Sequence, residues 1–367
     1  MPSPQPTNGS IQKGVPSVKK SDAMANIQAR ADAALAAAEA RGQSSLFDNE
    51  EAPQPTAIEP TPAELATVAA KGAGKRGKLL PVRHVERDFF LCDMFDYAMK
   101  DDGASMEAPI FTLSTRPDLT VWHWESQDGN RALTVTPSVL GRANMFDKDV
   151  LIYVISQMTE ALNCERQDAK NRTVRFVVYD YLVTTNKPTG GKEYQRLEAT
   201  LERLRGTSIK TDIKTGGSRV KEGFGLIDSW SIVEKSPGNE RMIAIEVTLS
   251  KWLFNAVQAH EVLTIHRNYF RLRKPLERRL YELARKHCGN QTAWTIGLEL
   301  LREKCSAHSH IRAFRKYVQD IIDADTLPEY RATYCREKDQ VTFYTRDTKK
   351  LLAAIATGKA NLPAKFR

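Results

Sequence analysis

The chain has 367 residues, 41% hydrophobic and 27% charged, a globular balance with material for one to three cores. No run approaches the ~18 to 20 consecutive apolar residues of a bilayer helix, and the amino end, MPSPQPTNGSIQKG, has no apolar core of a secretory signal, so a cytoplasmic chain is expected. Lys and Arg number 54 against 45 Asp and Glu; the resulting +9 and pI near 9.2 favour a polyanionic partner, nucleic acid or anionic lipid.

Residues 1–78 hold eight of the 17 prolines and 17 alanines, but one aromatic residue, Phe47. Such a segment cannot bury enough apolar surface to offset its ordering entropy, and the composition predicts a disordered Pro/Ala-rich tail. Its nine basic and eight acidic residues nearly cancel, so the rest of the chain carries +8 of the +9. Within the tail, 24–41 has the alanine content of a transient or partner-docking helix. The stretch 72–78 (GAGKRGK) fits phosphate-loop spacings, but Leu79 stands where a P-loop needs Ser or Thr, so it reads as a basic linker.

Beyond it, short strands are expected over 110–113, 121–124 and 132–135, then an amphipathic helix over 147–163. A first block follows: a strand over 172–178, a short helix over 179–185, a turn through Gly190 and Gly191, and a helix over 192–205. That last helix carries Tyr194, Leu197, Leu201 and Leu204 on one face, and Gly206 stops it. Strands over 207–213, 224–233 and 242–249 close the block. A second block repeats the plan. A helix starts at Pro275 and ends before Gly289, followed by a strand over 291–295 and helices over 297–304 and 309–324. The latter has Ile311, Phe314, Val318 and Ile321 on its apolar face, and a hairpin over 330–345 ends the block.

This order predicts an α+β fold class: tandem winged-helix (winged helix-turn-helix) domains behind the tail. The expected division is 1–78 tail, 79–258 first winged-helix domain for dimerisation and DNA binding, 259–346 second winged-helix domain, and 347–367 C-terminal tail.

A helix-turn-helix presents its second helix to the major groove, so the outward faces matter. In the second block Ser309, His310, Arg312, Arg315 and Lys316 are expected outward, with no acid between Cys305 and Asp320, and Lys338 lies at the hairpin turn. Arginine suits bidentate contact with guanine, while Ser, His and Lys suit phosphate or base contacts. In the first block Thr189, Lys192, Gln195, Arg196 and Arg203 are expected outward, partly cancelled by Glu193, Glu198 and Glu202. Gly190 and Gly191 admit a phosphate to the helix amino end, and Lys214, Arg219 and Lys221 form a candidate wing.

No catalytic or metal constellation competes. The five cysteines (Cys92, Cys164, Cys288, Cys305, Cys335) include no C-x-x-C pair and read as reduced thiols, mostly buried. Cys305, His308, His310 and Cys335 match no zinc spacing. A nicking nuclease would set His-x-His on a strand around a hydrophobic residue, whereas Ser309 separates His308 from His310 at a helix start, near Tyr317 and Tyr330. No Ser-His-Asp grouping is defensible either. No cofactor, metal or catalytic residue is expected.

Five segments together carry a resemblance: TPSVLGRANMFDKDVLIYVISQMTEALN (136–163), TGGKEYQRLEATLERLRGTSIKTDI (189–213), GFGLIDSW (223–230), VTLSKWLFNAV (247–257) and YFRLRKPLERRLYELARKHCG (269–289). The chain resembles the plasmid replication initiator protein A family, over about 80–345. The resemblance implies a non-enzymatic protein that binds direct repeats (iterons) in duplex origin DNA and promotes melting of an A·T-rich region. It also implies recruitment of the host initiator ATPase and replicative helicase, with dimers joined through the first domain in equilibrium with monomers. The alternatives are a winged-helix transcriptional repressor without a replication role, a DNA-nicking enzyme, and a structural partner-binding protein.

Overall fold

The computed structural model describes residues 79–84, 98–125, 132–211, 222–236, 239–289 and 291–356, all within the unit Gly74–Arg367. The expected tail, the basic linker and Cys92 lie outside the described residues. In chain order the elements begin with β1 (Lys100–Asp102), α1 (Gly103–Glu107), β2 (Trp122–Glu125), β3 (Ala132–Thr136) and α2 (Lys148–Asn163). Then come β4 (Thr173–Val177), α3 (Val178–Thr184), α4 (Gly191–Gly206), β5 (Ser208–Thr211), β6 (Glu222–Gly225), β7 (Ile227–Ser236) and β8 (Asn239–Leu249). The remainder is α5 (Lys251–Gln258), β9 (Val262–Thr264), α6 (Pro275–Cys288), β10 (Ala293–Gly297), α7 (Leu298–Lys304), α8 (Ile311–Ala324), β11 (Tyr330–Cys335), β12 (Gln340–Thr345) and α9 (Thr348–Ala356). No described helix is long and apolar enough to cross a membrane.

α2 is the hinge of the packing because it is buried almost all round, its polar Lys148, Asp149, Ser156 and Thr159 included, as in a helix surrounded by protein. Val150, Leu151, Tyr153, Val154, Ile155 and Met158 enter one core, and Ile152 enters a second. The first core takes Leu197, Leu201 and Leu204 of α4 with Ile245, Val247 and Leu249 of β8. The second takes Leu280 and Leu283 of α6, Phe314, Val318 and Ile321 of α8, and Val341 and Phe343 of β12. At ~25 cal/mol per Å² of apolar surface removed from water, these faces are what hold α4, α6 and α8 in place.

The two blocks share one plan. α2, β4, α3, α4, β7 and β8 correspond in order to α6, β10, α7, α8, β11 and β12. Each block closes an antiparallel three-stranded sheet whose middle strand is the last in sequence: β8 between β4 and β7, β12 between β10 and β11. Phe176 sits opposite Ile245 and Ile296 opposite Val341, so the inward sides of both sheets are apolar in register.

Two expectations are corrected. Residues 110–113 form no strand, only an isolated bridge between Thr112 and Asn144, because this segment is held mainly by loop contacts. The single strand expected over 224–233 is two strands in different sheets. β6 pairs with β5 in a four-stranded sheet ordered β2-β3-β5-β6, and β7 pairs with β8. The switch occurs at Gly225, where a Cβ would lie 2.9 Å from the Arg205 carbonyl oxygen and 3.0 Å from that of Ile227. Only glycine lets the backbone turn this corner.

Buried ion pairs stitch the halves together. Lys148 Nζ, fully buried, lies 2.7 Å from Asp101 and 3.1 Å from Glu282 of α6. Burial opposes its charge, but the acidic groups Asp101, Glu282 and Asp102 outweigh it and favour the protonated ammonium, while the same burial raises the Asp101 carboxyl. Asp149 binds Lys187 Nζ (2.7 Å) and Arg278 of α6. Arg279 donates to the carbonyls of Ser105, Met106 and Glu107 and to that of Lys304, at the end of α7. β1 pairs with β9, so the segment around α1 packs on the second core through Met99 and Met106.

Candidate nucleic-acid interface

α8 is built to show one face. Phe314, Val318 and Ile321 are buried and Ile311 half-buried, which leaves Arg312, Lys316 and Tyr317 exposed. The helix begins at Ile311, two residues later than the spacing predicts. His310 is its N-cap, with Nδ1 accepting from the Arg312 N–H at 3.3 Å. Ser309 is half-buried in the preceding turn, where its carbonyl accepts from Arg302 Nη1 at 3.2 Å. Its backbone braces the start of α8.

Arg315 lies toward the surface, about a third exposed, with its guanidinium engaged. Its Nε donates to the Tyr334 hydroxyl (2.9 Å) and Asp339 Oδ1 (3.1 Å), and its Nη2 to Asp339 Oδ2 (3.0 Å). The fork holds the Asp339 carboxyl below the usual carboxylate range, and Tyr334 adds a further hydrogen bond. Asp339 is in the left-handed region (φ 48°), so this grip fixes the β11–β12 turn against α8. Lys338 is exposed in that turn, as is Arg336, which sequence reasoning missed. Its signal was available: a basic side chain two residues from Lys338 in the same turn.

In the first block, Thr189, Lys192, Gln195 and Arg196 are exposed at the start of α4. A Cβ at Gly190 or Gly191 would meet nothing within 4 Å, so the amino end of α4 opens to space. Arg196 pairs with Glu193, which moderates the positive face. Arg203, expected outward, turns instead into the fold. Its Nε and Nη2 grip Asp147 at 2.8 and 2.6 Å, and the Thr200 hydroxyl joins at 2.9 Å. The carboxylate ahead of α2 captures it because α4 packs there through Leu201 and Leu204.

The candidate wing residues Lys214, Arg219 and Lys221 lie outside the described residues. They connect β5 to β6, strands of the four-stranded sheet, whereas the hairpin equivalent to β11–β12 is β7–β8. The thiols also need correction. Cys288 and Cys305 are buried, which pushes both up to about 12 and leaves them inert, but Cys164 and Cys335 are exposed. Among the described residues no group of three His, Cys, Asp or Glu could hold a metal ion.

The sequence model of the replication initiator protein A family matches residues 100–332, from β1 into β11. A predicted replication protein of Wigglesworthia glossinidia brevipalpis is 35% identical over 262 residues, covering 71% of this chain and 94% of the relative. Among solved structures, domains 2 and 3 of RctB align with a TM-score of 0.50 at 12% identity, over 66% of this chain and 98% of that one, a likeness of fold. The Pi initiator protein in complex with iteron DNA aligns with a TM-score of 0.37 at 12% identity, over 59% of this chain and 98% of that one. The family match covers the first block and the second as far as the start of β11, and with a relative this similar along nearly its whole length the chain belongs to the replication initiator protein A family and is a replication initiator.

Proposed function

We propose that this initiator binds direct repeats in the duplex DNA of a plasmid origin, with each block a winged helix-turn-helix and with α4 and α8 as its two reading helices. The domain limits 79–258 and 259–346 belong to this reading. The observation that carries it is α8: a helix anchored by Phe314, Val318 and Ile321, whose exposed Arg312 and Lys316 have no acidic neighbour before Asp320 in the sequence. Such a helix fits the major groove, and Arg312 suits a guanine edge. His310, Lys316, Lys338 and Arg336 supply phosphate contacts around it, as do Thr189, Lys192, Gln195 and Arg196 around α4. Ser309 and Arg315 act by holding their neighbours in place.

Bound to DNA, the monomer promotes local melting and recruits the host initiator ATPase and replicative helicase, and it stands in equilibrium with a dimer joined through the first block. It works in the cytoplasm as a binder, without a reaction of its own. Two helices in successive major grooves span roughly 20 base pairs. The test is affinity at near-physiological salt for duplex from beside the gene carrying tandem ~20 base-pair repeats, against a shuffled duplex. A preference of about 10³-fold or more is expected. Equal affinities that fall steeply with salt would leave only a nonspecific electrostatic surface.

A further inference from the structure

One buried polar contact joins the first half to the turn that launches α8. The Arg142 side chain is fully buried, and its Nη2 donates to Asp118 Oδ2 at 3.0 Å and to the Ser306 hydroxyl at 3.1 Å. Asp118 is itself held by the Thr112 hydroxyl (2.7 Å) and the Thr120 N–H (3.1 Å). The guanidinium lies 5.7 Å from the Trp122 ring centroid, and Trp122 meets His308 edge-on at 5.1 Å. Arg142, Asp118 and Trp122 belong to the segment leading into α2, whereas Ser306 and His308 sit between α7 and α8.

Both ends of the contact are costly. Ser306 is 1% exposed with φ 53°, a left-handed conformation that glycine adopts freely and an L side chain resists. The side chain that makes the position costly is the one that accepts from Arg142. Arg142 in turn buries a guanidinium whose Nε and Nη1 have no hydrogen-bond partner, so pairing repays its desolvation only in part. In some folds a buried polar contact kept at a cost in stability fixes one arrangement of the parts it joins. The same segment also grips the end of α4: the Ala143 N–H donates to the Thr207 hydroxyl at 2.9 Å, and a Cβ at Gly206 would lie 2.5 Å from the Ser138 Cβ, leaving no slack.

We propose that the Arg142–Ser306 contact is a spacing clamp. It fixes the direction in which α8 leaves its turn relative to α4, so that the two helices address half-sites at one separation only. Arg142 and Ser306 are positioning residues, and the clamp rests on the reading of α4 and α8 as DNA-binding helices. One added base pair shifts a half-site by about 3.4 Å and turns it by about 35°, which a fixed pair of helices cannot follow.

Ser306→Gly separates the clamp from the fold, because it removes the hydroxyl while relaxing the left-handed backbone. Ser306→Ala removes the hydroxyl alone. Full-length wild type and both variants are melted thermally and titrated against the repeat, a shuffled duplex, and the repeat with one base pair inserted or deleted between half-sites. Wild type loses about tenfold or more on either altered spacing. Ser306→Gly melts at or above the wild-type temperature, binds the native repeat within about threefold of wild type, and loses less than about threefold on the altered ones. If one variant melts lower, the other carries the comparison. A wild-type spacing penalty in the variants, or none in wild type, overturns the clamp alone. Wild type that fails to prefer the repeat over the shuffled duplex overturns the underlying reading, and the clamp with it.

Discussion

Arg312 and Arg315 sit three residues apart on α8 and do different work. Arg312 is exposed with its guanidinium unengaged among the described residues, while Arg315 spends its fork on Asp339 and Tyr334. Arg312→Ala is therefore expected to cost about 1–3 kcal/mol on the cognate repeat and much less on random DNA. Titrations on both duplexes decide it, since equal losses would assign Arg312 to the phosphates. Arg315→Ala is expected to weaken both duplexes alike, because it releases the turn that carries Lys338 and Arg336; a loss confined to the repeat would make Arg315 a base reader. Helical spacing puts Arg312 and Arg315 together on the polar side of α8. It cannot show that a carboxylate from a hairpin some twenty residues later claims one of them, nor that Asp147 claims Arg203.

Among the elements, those whose apolar spacing repeats at three and four residues were legible: α2, α4, α6 and α8 lie within two residues of their expected limits. Strand partners were less legible. The segments 207–213 and 224–233 look alike as half-buried strands, and local pattern does not say which sheet will accept them. Gly225 was the readable mark of the break, but the close approach that demands it exists only in three dimensions. The pairing of β1 with β9, distant in sequence, left no local trace at all. Gly225→Ala is expected to force the carbonyls of Arg205 and Ile227 apart and destabilise the fold by about 1–3 kcal/mol, seen as a lower urea midpoint. An unchanged midpoint would mean the corner relaxes freely. Phe314→Ala, which empties the centre of the α8 contact, is expected to cost about 3–5 kcal/mol by the same measurement.

Among the described residues, two blocks close over a seam of buried charge, and that seam titrates. Burial tends to raise the Glu107 carboxyl, but the His287 ring nitrogen 2.9 Å from it and the hydrogen bond from the Lys304 ammonium outweigh that and hold the group far below its ordinary 4.5. A depressed carboxylate contributes stability above its unfolded value and loses it as pH falls from there. Glu107→Gln is thus expected to lower stability at pH 7 by about 1–3 kcal/mol and to flatten the loss of Tm below about pH 4.5. Parallel curves for variant and wild type would show that the pair contributes nothing to acid sensitivity.

On the proposed reading, one chain lays two helices, α4 and α8, into successive major grooves of a repeat. Hydroxyl-radical and methylation-interference footprinting of the full-length protein on a single repeat tests it most directly. Two protected major-groove windows about one helical turn apart, on one face of the duplex, are the expected result. A single protected window, with the neighbouring turn open to attack, would contradict it and leave only one block as the reader.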